Sequence, residues 1–193
     1  QETLFPIWSM SKPITVVGIM ILVEKGIIKL DDNVSKYLPE FSQIYCKGNT
    51  GKYLCKKPLK IIHLLTHRSG FGYYSHKGYG YGLTSTIKYD NLNDFSKDLS
   101  KVVLEFEPGE KYYYGVNQAL LGRIVEIVSK QNFYEFLREE IFEPLEMSET
   151  KFYLTKEDRS RFQPLYINFG TIKGFTTELD ELTYEESNAA YFG

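Results

Sequence analysis

The sequence predicts a mainly helical globular domain. Residues 9–25 form an unbroken helical stretch that is almost wholly apolar between Ile14 and Val23, and residues 117–130 repeat apolar side chains at helical spacing. Strand signals are weak along the chain. Of its 193 residues, 42% are hydrophobic and 16% aromatic, which is enough apolar material for a core and unlike a disordered composition.

The first predicted element is a helix from Ser9 to Lys25. Pro13 falls in its first turn, where proline is tolerated, and Gly26 is a natural C-terminal stop. A helix that is apolar all round is normally surrounded by protein. We therefore expect this helix to run through the middle of the domain.

Later segments carry weaker helical signals, each with its own boundary residue. The predicted helices are a short one from Leu59 to His67, one capped by Asn93 that runs to about Val103, one from Asn117 to Lys130, and one capped by Asn132 that runs to about Phe142. Residues 68–83 are predicted to be a loop, and residues 159–193 to be irregular.

The two cysteines, Cys46 and Cys55, flank a turn-like stretch at residues 48–51 that predicts a hairpin. A disulfide between them is geometrically possible. Because two cysteines do not make a disulfide framework, the favoured interpretation is a pair of reduced thiols in a surface loop.

Charge and hydropathy limit the classes of partner. The formal net charge is −2 and the isoelectric point about 6.0, with no basic block, so neither nucleic acid nor an anionic membrane is predicted as a partner. The longest apolar run, residues 13–23, is shorter than the about 20 residues that a transmembrane helix needs. His63 and His67 have a spacing that can bind zinc, but residue 64 is Leu where the zincin pattern has Glu, so no metal site and no cofactor are predicted.

Ser9 and Lys12 are the first residues with a chemical implication. Three positions apart at the start of a helix, their side chains lie on one face within reach of each other. A serine hydroxyl becomes a good nucleophile when a base removes its proton, and a lysine amine can be that base where its surroundings favour the neutral form. Such a spacing also arises by chance, but a lysine at the mouth of a wholly apolar helix is hard to explain as a surface residue.

Four longer runs of sequence add to the signal from Ser9 and Lys12. They are FPIWSMSKPITVVGIMILVEKGIIKLDD ending at Asp32, IIHLLTHRSG at residues 61–70, EPGEKYYYGVNQALLGRIVE at 107–126, and FLREEIFEPLEM at 136–147. In this order, the four runs resemble the serine hydrolase family that holds class C β-lactamases, D-alanyl-D-alanine carboxypeptidases and related esterases. The resemblance implies an α+β fold of the β-lactamase and transpeptidase type. Residues 1–193 would be a partial catalytic domain, truncated at both ends relative to the family and represented mainly by its helical portion.

The resemblance also implies roles for individual residues. Ser9 matches the nucleophile and Lys12 the lysine of the S-x-x-K element, while Tyr114 matches the proton-handling tyrosine of the Y-x-N element. The third position of that element is Val116 instead of Asn, and Asn117 comes one position late; both are expected to lie at the substrate-binding side. The departure favours ester or peptide substrates over β-lactams.

A second departure concerns the family's third element, K-T-G or H-x-G, which lies on a strand beside the nucleophile. It has no match here, since residues 172–174 read Ile-Lys-Gly, and residues 191–193 resemble only the start of a later G-G-G-L stretch. Most of the sheet is thus expected to lie outside this sequence, leaving apolar surface through which the chain could self-associate.

Together these residues and the resemblance predict a serine hydrolase that acts through an acyl-enzyme on ester, amide or β-lactam-like substrates, with an esterase or peptidase favoured and a small molecule or peptide as substrate. The alternative is a family member that lost catalysis and serves as a scaffold or binding protein. Retention of Ser9, Lys12 and Tyr114 favours the enzyme.

Overall fold

The computed structural model describes residues 3–72, 89, 91–163, 166–169 and 172–176. In chain order, its elements are α1 (Ser11–Glu24), β1 (Tyr45–Gly48), β2 (Gly51–Leu54), α2 (Ile61–Leu65), α3 (Leu92–Leu99), α4 (Asn117–Ser129), α5 (Phe133–Leu137), α6 (Lys156–Arg161), β3 (Tyr166–Phe169) and β4 (Ile172–Thr176). A 3₁₀ turn at Trp8–Met10 precedes α1, and a π-helical turn at Arg138–Phe142 extends α5. Most of the loop predicted at 68–83 and the tail at 191–193 lie outside the described residues.

Helix α4 forms the centre of the helical layer. It packs against α1, α2, α3 and α5, and its first nine residues are buried with the exception of Arg123. The apolar spacing of residues 117–130 predicted this helix, and Lys130, in the left-handed conformation, ends it. Helix α4 is thus the central helix of the core.

Helix α1 is buried along one face only, a correction to the expectation that it runs through the middle. Thr15, Ile19 and Leu22 face α4 and α5, whereas Val17 and Met20 are 47% and 43% exposed. Among the described residues, nothing covers the face of α1 that carries Val17 and Met20. This part of the chain therefore has exposed apolar side chains, as expected from the sequence.

The hairpin predicted around residues 48–51 is confirmed by the antiparallel pairing of β1 with β2. Cys46 and Cys55 are joined in a disulfide across its base, which corrects the favoured interpretation of two reduced thiols. Cys46 is also fully buried, so it belongs to the core and not to a surface loop. The spacing of the cysteines could not show the bond, because it depends on the strand register, which places Cys46 opposite Tyr53 and brings Cys55 within reach.

Two other boundaries differ from prediction. The cap of α3 is Asn91, whose side chain accepts a hydrogen bond from the Asp94 N–H, and the helix ends at Leu99. Residues predicted to be irregular contain the end of α6 and the antiparallel pair β3–β4. In the part of the chain that the structure describes, every helix is too short or too polar to cross a bilayer.

Candidate active site

Ser9 lies in the tight 3₁₀ turn that leads into α1, two residues before the α-helix begins at Ser11. The preceding residue, Trp8, has a φ of 43°, in the left-handed region that a side chain as large as indole rarely adopts. Such backbone costs on the order of 1–3 kcal/mol and persists only where surrounding structure holds it, most often at functional sites. The turn aims the Ser9 side chain out of the helix, toward the loop that precedes α4.

Ser9 Oγ has two proton-bearing groups within hydrogen-bond distance. The Lys12 amine donates to it at 3.1 Å, and the Tyr114 hydroxyl donates to it at 2.6 Å. The Lys12 ammonium also lies 5.0 Å from the centre of the Tyr114 ring. Lys12 is 8% exposed and Tyr114 is 37% exposed, so the trio lies at the edge of the core that the described residues form.

The loop that carries Tyr114 is fixed at both ends. At its start, the Glu107 carboxylate accepts hydrogen bonds from the N–H groups of Lys56 and Lys57. Burial alone would raise the pKa of Glu107, but these N–H groups stabilise the charged form and hold the pKa below its ordinary value. At its end, Gly115 passes so close to residue 71 that a Cβ would lie 2.3 Å from the Phe71 carbonyl oxygen. Only glycine lets the loop approach this closely.

His67 lies against the other side of Tyr114. The two ring centroids are 4.8 Å apart with the planes tilted by 34°. Burial, and secondarily the positive charge of Lys12, hold the pKa of His67 below its ordinary value of 6.5, which favours a neutral ring. Its φ of 52° is the second left-handed non-glycine backbone at the site.

Val116 and Asn117, predicted at the substrate side, are both buried. Val116 is 2% exposed and is the N-terminal cap residue of α4, and Asn117 is the first residue of that helix. The Asn117 side chain bonds inside the protein, to Ser69 and to Nδ1 of His67. A substrate contact by either residue stays a prediction.

The residues considered for metal binding are engaged elsewhere. His63 Nδ1 accepts the N–H of Lys60, while the His67 ring faces Tyr114. Among the described residues, the side chains of Cys46, Cys55 and Glu107 also converge closely enough for a metal, but the disulfide leaves no thiolate to ligate one.

Comparison with protein families identifies the chain. The Beta-lactamase family matches residues 1–181. The chain belongs to the beta-lactamase family. Its fold is the α+β fold of that family, confirming the prediction, and the described residues form mainly the helical portion.

Three relatives show how far the similarity extends. Esterase EstB of Burkholderia gladioli is 32% identical over 170 residues, covering 82% of this chain and 41% of that protein. A penicillin-binding protein of Bacillus subtilis (strain 168) is 34% identical over 155 residues, covering 79% of this chain and 31% of the relative. The solved structure of EstCE1, a hydrolase with promiscuous acyltransferase activity, superposes with a TM-score of 0.72 at 24% identity, covering 93% of this chain and 49% of that one. The chain thus spans half or less of the length of these relatives.

In this beta-lactamase-family chain, the structure brings Ser9, Lys12 and Tyr114 together and adds residues that sequence reasoning passed over. His67 is considered in the sequence analysis only as a possible zinc ligand and Ser69 is assigned no role there, although both belong to the H-x-S-G turn at residues 67–70. The recurrence of that turn in the family-like run at 61–70 was the available signal. Its meaning depends on contacts with residues almost 50 positions later, which the spacing does not reveal.

Proposed function

We propose that the whole protein is a serine hydrolase that works through an acyl-enzyme on Ser9. The observation that carries the proposal is the convergence of the Lys12 amine and the Tyr114 hydroxyl on Ser9 Oγ. A serine hydroxyl needs a base within hydrogen-bond reach to attack a carbonyl, and here two candidate groups lie at that distance. Similarity to an esterase and to a penicillin-binding protein supports the same reaction class.

Acylation follows from this geometry. Both neighbours donate to Ser9 Oγ in the resting arrangement, so loss of one proton from the Lys12–Tyr114 pair turns a donor into an acceptor. Ser9 Oγ then attacks the carbonyl carbon as its proton passes to that acceptor. Collapse of the tetrahedral intermediate breaks the bond to the leaving group, which takes the proton from Tyr114, and the acyl group remains on Ser9.

Deacylation reverses the proton path. Water attacks the acyl carbonyl, gives its proton to Tyr114, and the ester bond to Ser9 breaks as the proton returns to Oγ. The Ser9 N–H is one donor for the oxyanion in both steps. A second donor is expected from the family's third element, and losing one such donor typically costs about 10²–10³ in rate.

We expect esters to be better substrates than cephalosporins. Val116 stands where the family's Y-x-N element has Asn, and an isopropyl group cannot hydrogen-bond the amide of a lactam side chain. The measurement compares kcat/KM for p-nitrophenyl butyrate and nitrocefin with the full-length protein. Efficient nitrocefin turnover would contradict this preference.

The test of the proposed function is covalent labelling of the full-length protein by a fluorophosphonate. Wild type should be labelled once, Ser9→Ala should not, and Ser11→Ala, two residues along the same turn, should be labelled like wild type. Mass spectrometry of the labelled peptide places the adduct. An unlabelled, folded wild-type protein would favour the alternative of a scaffold that kept the fold without catalysis.

A further inference from the structure

A chain of buried hydrogen bonds links the H-x-S-G turn to the start of α4 and ends on the ring that packs against Tyr114. The Phe71 N–H donates to Ser69 Oγ at 3.0 Å, and the Ser69 hydroxyl donates to the Asn117 Oδ1. The Asn117 amide nitrogen lies 2.8 Å from His67 Nδ1, and the Gly115 N–H donates to the same ring nitrogen at 3.4 Å. Ser69 and Asn117 are fully buried, so water does not share these bonds.

The backbone donor at the His67 end sets the direction of the protons in this chain. A backbone N–H can only donate, so the Gly115 N–H requires a lone pair on Nδ1 of His67 and leaves the ring proton on Nε2. The Asn117 amide then turns its NH₂ group toward Nδ1 and its Oδ1 toward Ser69. The Ser69 hydroxyl donates to that oxygen, while Ser69 Oγ accepts the Phe71 N–H.

His67 holds the tyrosine loop at three points. Its carbonyl accepts the Tyr113 N–H at 2.8 Å, its Nδ1 accepts the Gly115 N–H, and its ring packs on the Tyr114 ring between them. His67 thus contacts the loop with both its carbonyl and its ring, and its backbone is left-handed. Strained non-glycine backbone of this kind is retained where surrounding contacts hold it for a purpose.

We propose that His67, held as the Nε2–H tautomer by the Gly115 N–H and the Asn117 amide, is a positioning residue that keeps the Tyr114 hydroxyl on Ser9 Oγ. Its catalytic consequence rests on the proposed function. A neutral ring packs on the phenol without adding a second positive charge beside Lys12, which lies over the same tyrosine. The two donors keep a proton off the nitrogen that faces the loop, and Ser69 holds the Asn117 amide in place.

The kinetic test compares His67→Asn with His63→Asn in the full-length protein. Asparagine tolerates left-handed backbone, so the first variant removes the ring without adding strain. His63 lies one helical turn earlier and outside the site. We expect His67→Asn to lower kcat for p-nitrophenyl butyrate and the fluorophosphonate labelling rate by about 10²-fold, the scale of a 1 Å misplacement, with little change in KM. His63→Asn should match wild type.

Two structural readouts decide the positioning without reference to activity. Histidine ¹⁵N spectra of wild type should show an unprotonated Nδ1 and a protonated Nε2 for His67, and Asn117→Asp, which can only accept at that site, should move a proton onto Nδ1. A crystal structure of His67→Asn should show the Tyr114 hydroxyl withdrawn from Ser9 by about 1 Å or more. A wild-type Nδ1–H tautomer, or a His67→Asn protein that keeps both the Tyr114–Ser9 distance and the labelling rate, would overturn the proposal. Failure of wild type to label would count against the proposed function alone, since the spectra and crystal structure still decide the positioning.

Discussion

At the scale of single residues, the candidate site combines a buried lysine, Lys12, with a partly exposed tyrosine hydroxyl, that of Tyr114. Lys12 is almost fully buried at the start of an apolar helix, where its amine has Ser9 Oγ and the Tyr114 ring as neighbours. Burial of a lysine is costly unless polar contacts compensate it. Its position beside the serine is therefore better explained by chemistry than by packing.

Replacing Lys12 with alanine should slow acylation of Ser9 by at least about a hundredfold, the scale of a lost general base. The matched control is Lys25→Ala at the far end of the same helical segment, where the lysine pairs with Glu140 near the surface. Stopped-flow labelling with a fluorophosphonate measures both rates. Equal labelling rates for Lys12→Ala and wild type would show that Lys12 is not the general base.

At the scale of elements, three segments of the chain meet at the candidate site. The turn before α1 supplies Ser9, the turn after α2 supplies His67, and the loop before α4 supplies Tyr114. Because α1 and α2 both pack on α4, the relative positions of these segments follow from the helical core. Two of these segments approach so closely that a Cβ at Gly115 would lie 2.3 Å from the carbonyl oxygen of residue 71.

Gly115→Ala should displace the tyrosine loop. The Cβ of the alanine would meet backbone atoms of residues 71 and 72, which cannot move aside as a side chain can. We therefore expect the unfolding free energy to fall by about 1–3 kcal/mol and the acylation of Ser9 to become slower. Gly18→Ala is the control, because its Cβ meets only side-chain tips of Phe136 and Leu137 and alanine favours the helix by about 1 kcal/mol. Urea unfolding and labelling rates report the two effects. An alanine at 115 that leaves both unchanged would show that the close approach is unimportant.

At the scale of the whole molecule, buried ionisable groups couple stability to pH. Burial, followed by nearby positive charge, holds the pKa values of His63 and His67 below 6.5. Hydrogen bonds from Lys36 and Tyr37 lower the pKa of Asp32 to about 2, so this carboxylate responds only in stronger acid. Among the groups with shifted pKa values, the two histidines therefore contribute most of the pH dependence of stability in the mildly acidic range.

Unfolding free energy should fall as the pH drops below about 6.5. The histidines of the unfolded chain bind protons below about pH 6.5, whereas those of the native protein stay neutral until the pH reaches their lower folded pKa values. Protonation in that range therefore favours unfolding. Above about pH 6.5 the histidines are neutral in both states, and the effect vanishes. Each histidine contributes at most about 1.4 kcal/mol per pH unit. Urea unfolding at pH 7.5 and 5.5 measures the slope. The double variant His63→Asn, His67→Asn should flatten it, and an unchanged slope would place the pH dependence on other groups.

Local signals identified α4, the β1–β2 hairpin, the candidate trio and the family, because helical spacing, turn residues and short motifs are properties of neighbouring positions in the chain. The cap of α3 is two residues earlier than predicted, since Asn91 and Asn93 can both accept the first N–H groups and packing decides between them. The Cys46–Cys55 bond, across nine positions, depended on the register of the hairpin, which the spacing of the cysteines does not give. Tertiary structure alone decided that α4 rather than α1 occupies the centre, and that His67 reaches Asn117 across the fold. Those outcomes depend on contacts between residues far apart in sequence, whose partners are selected by how the core packs.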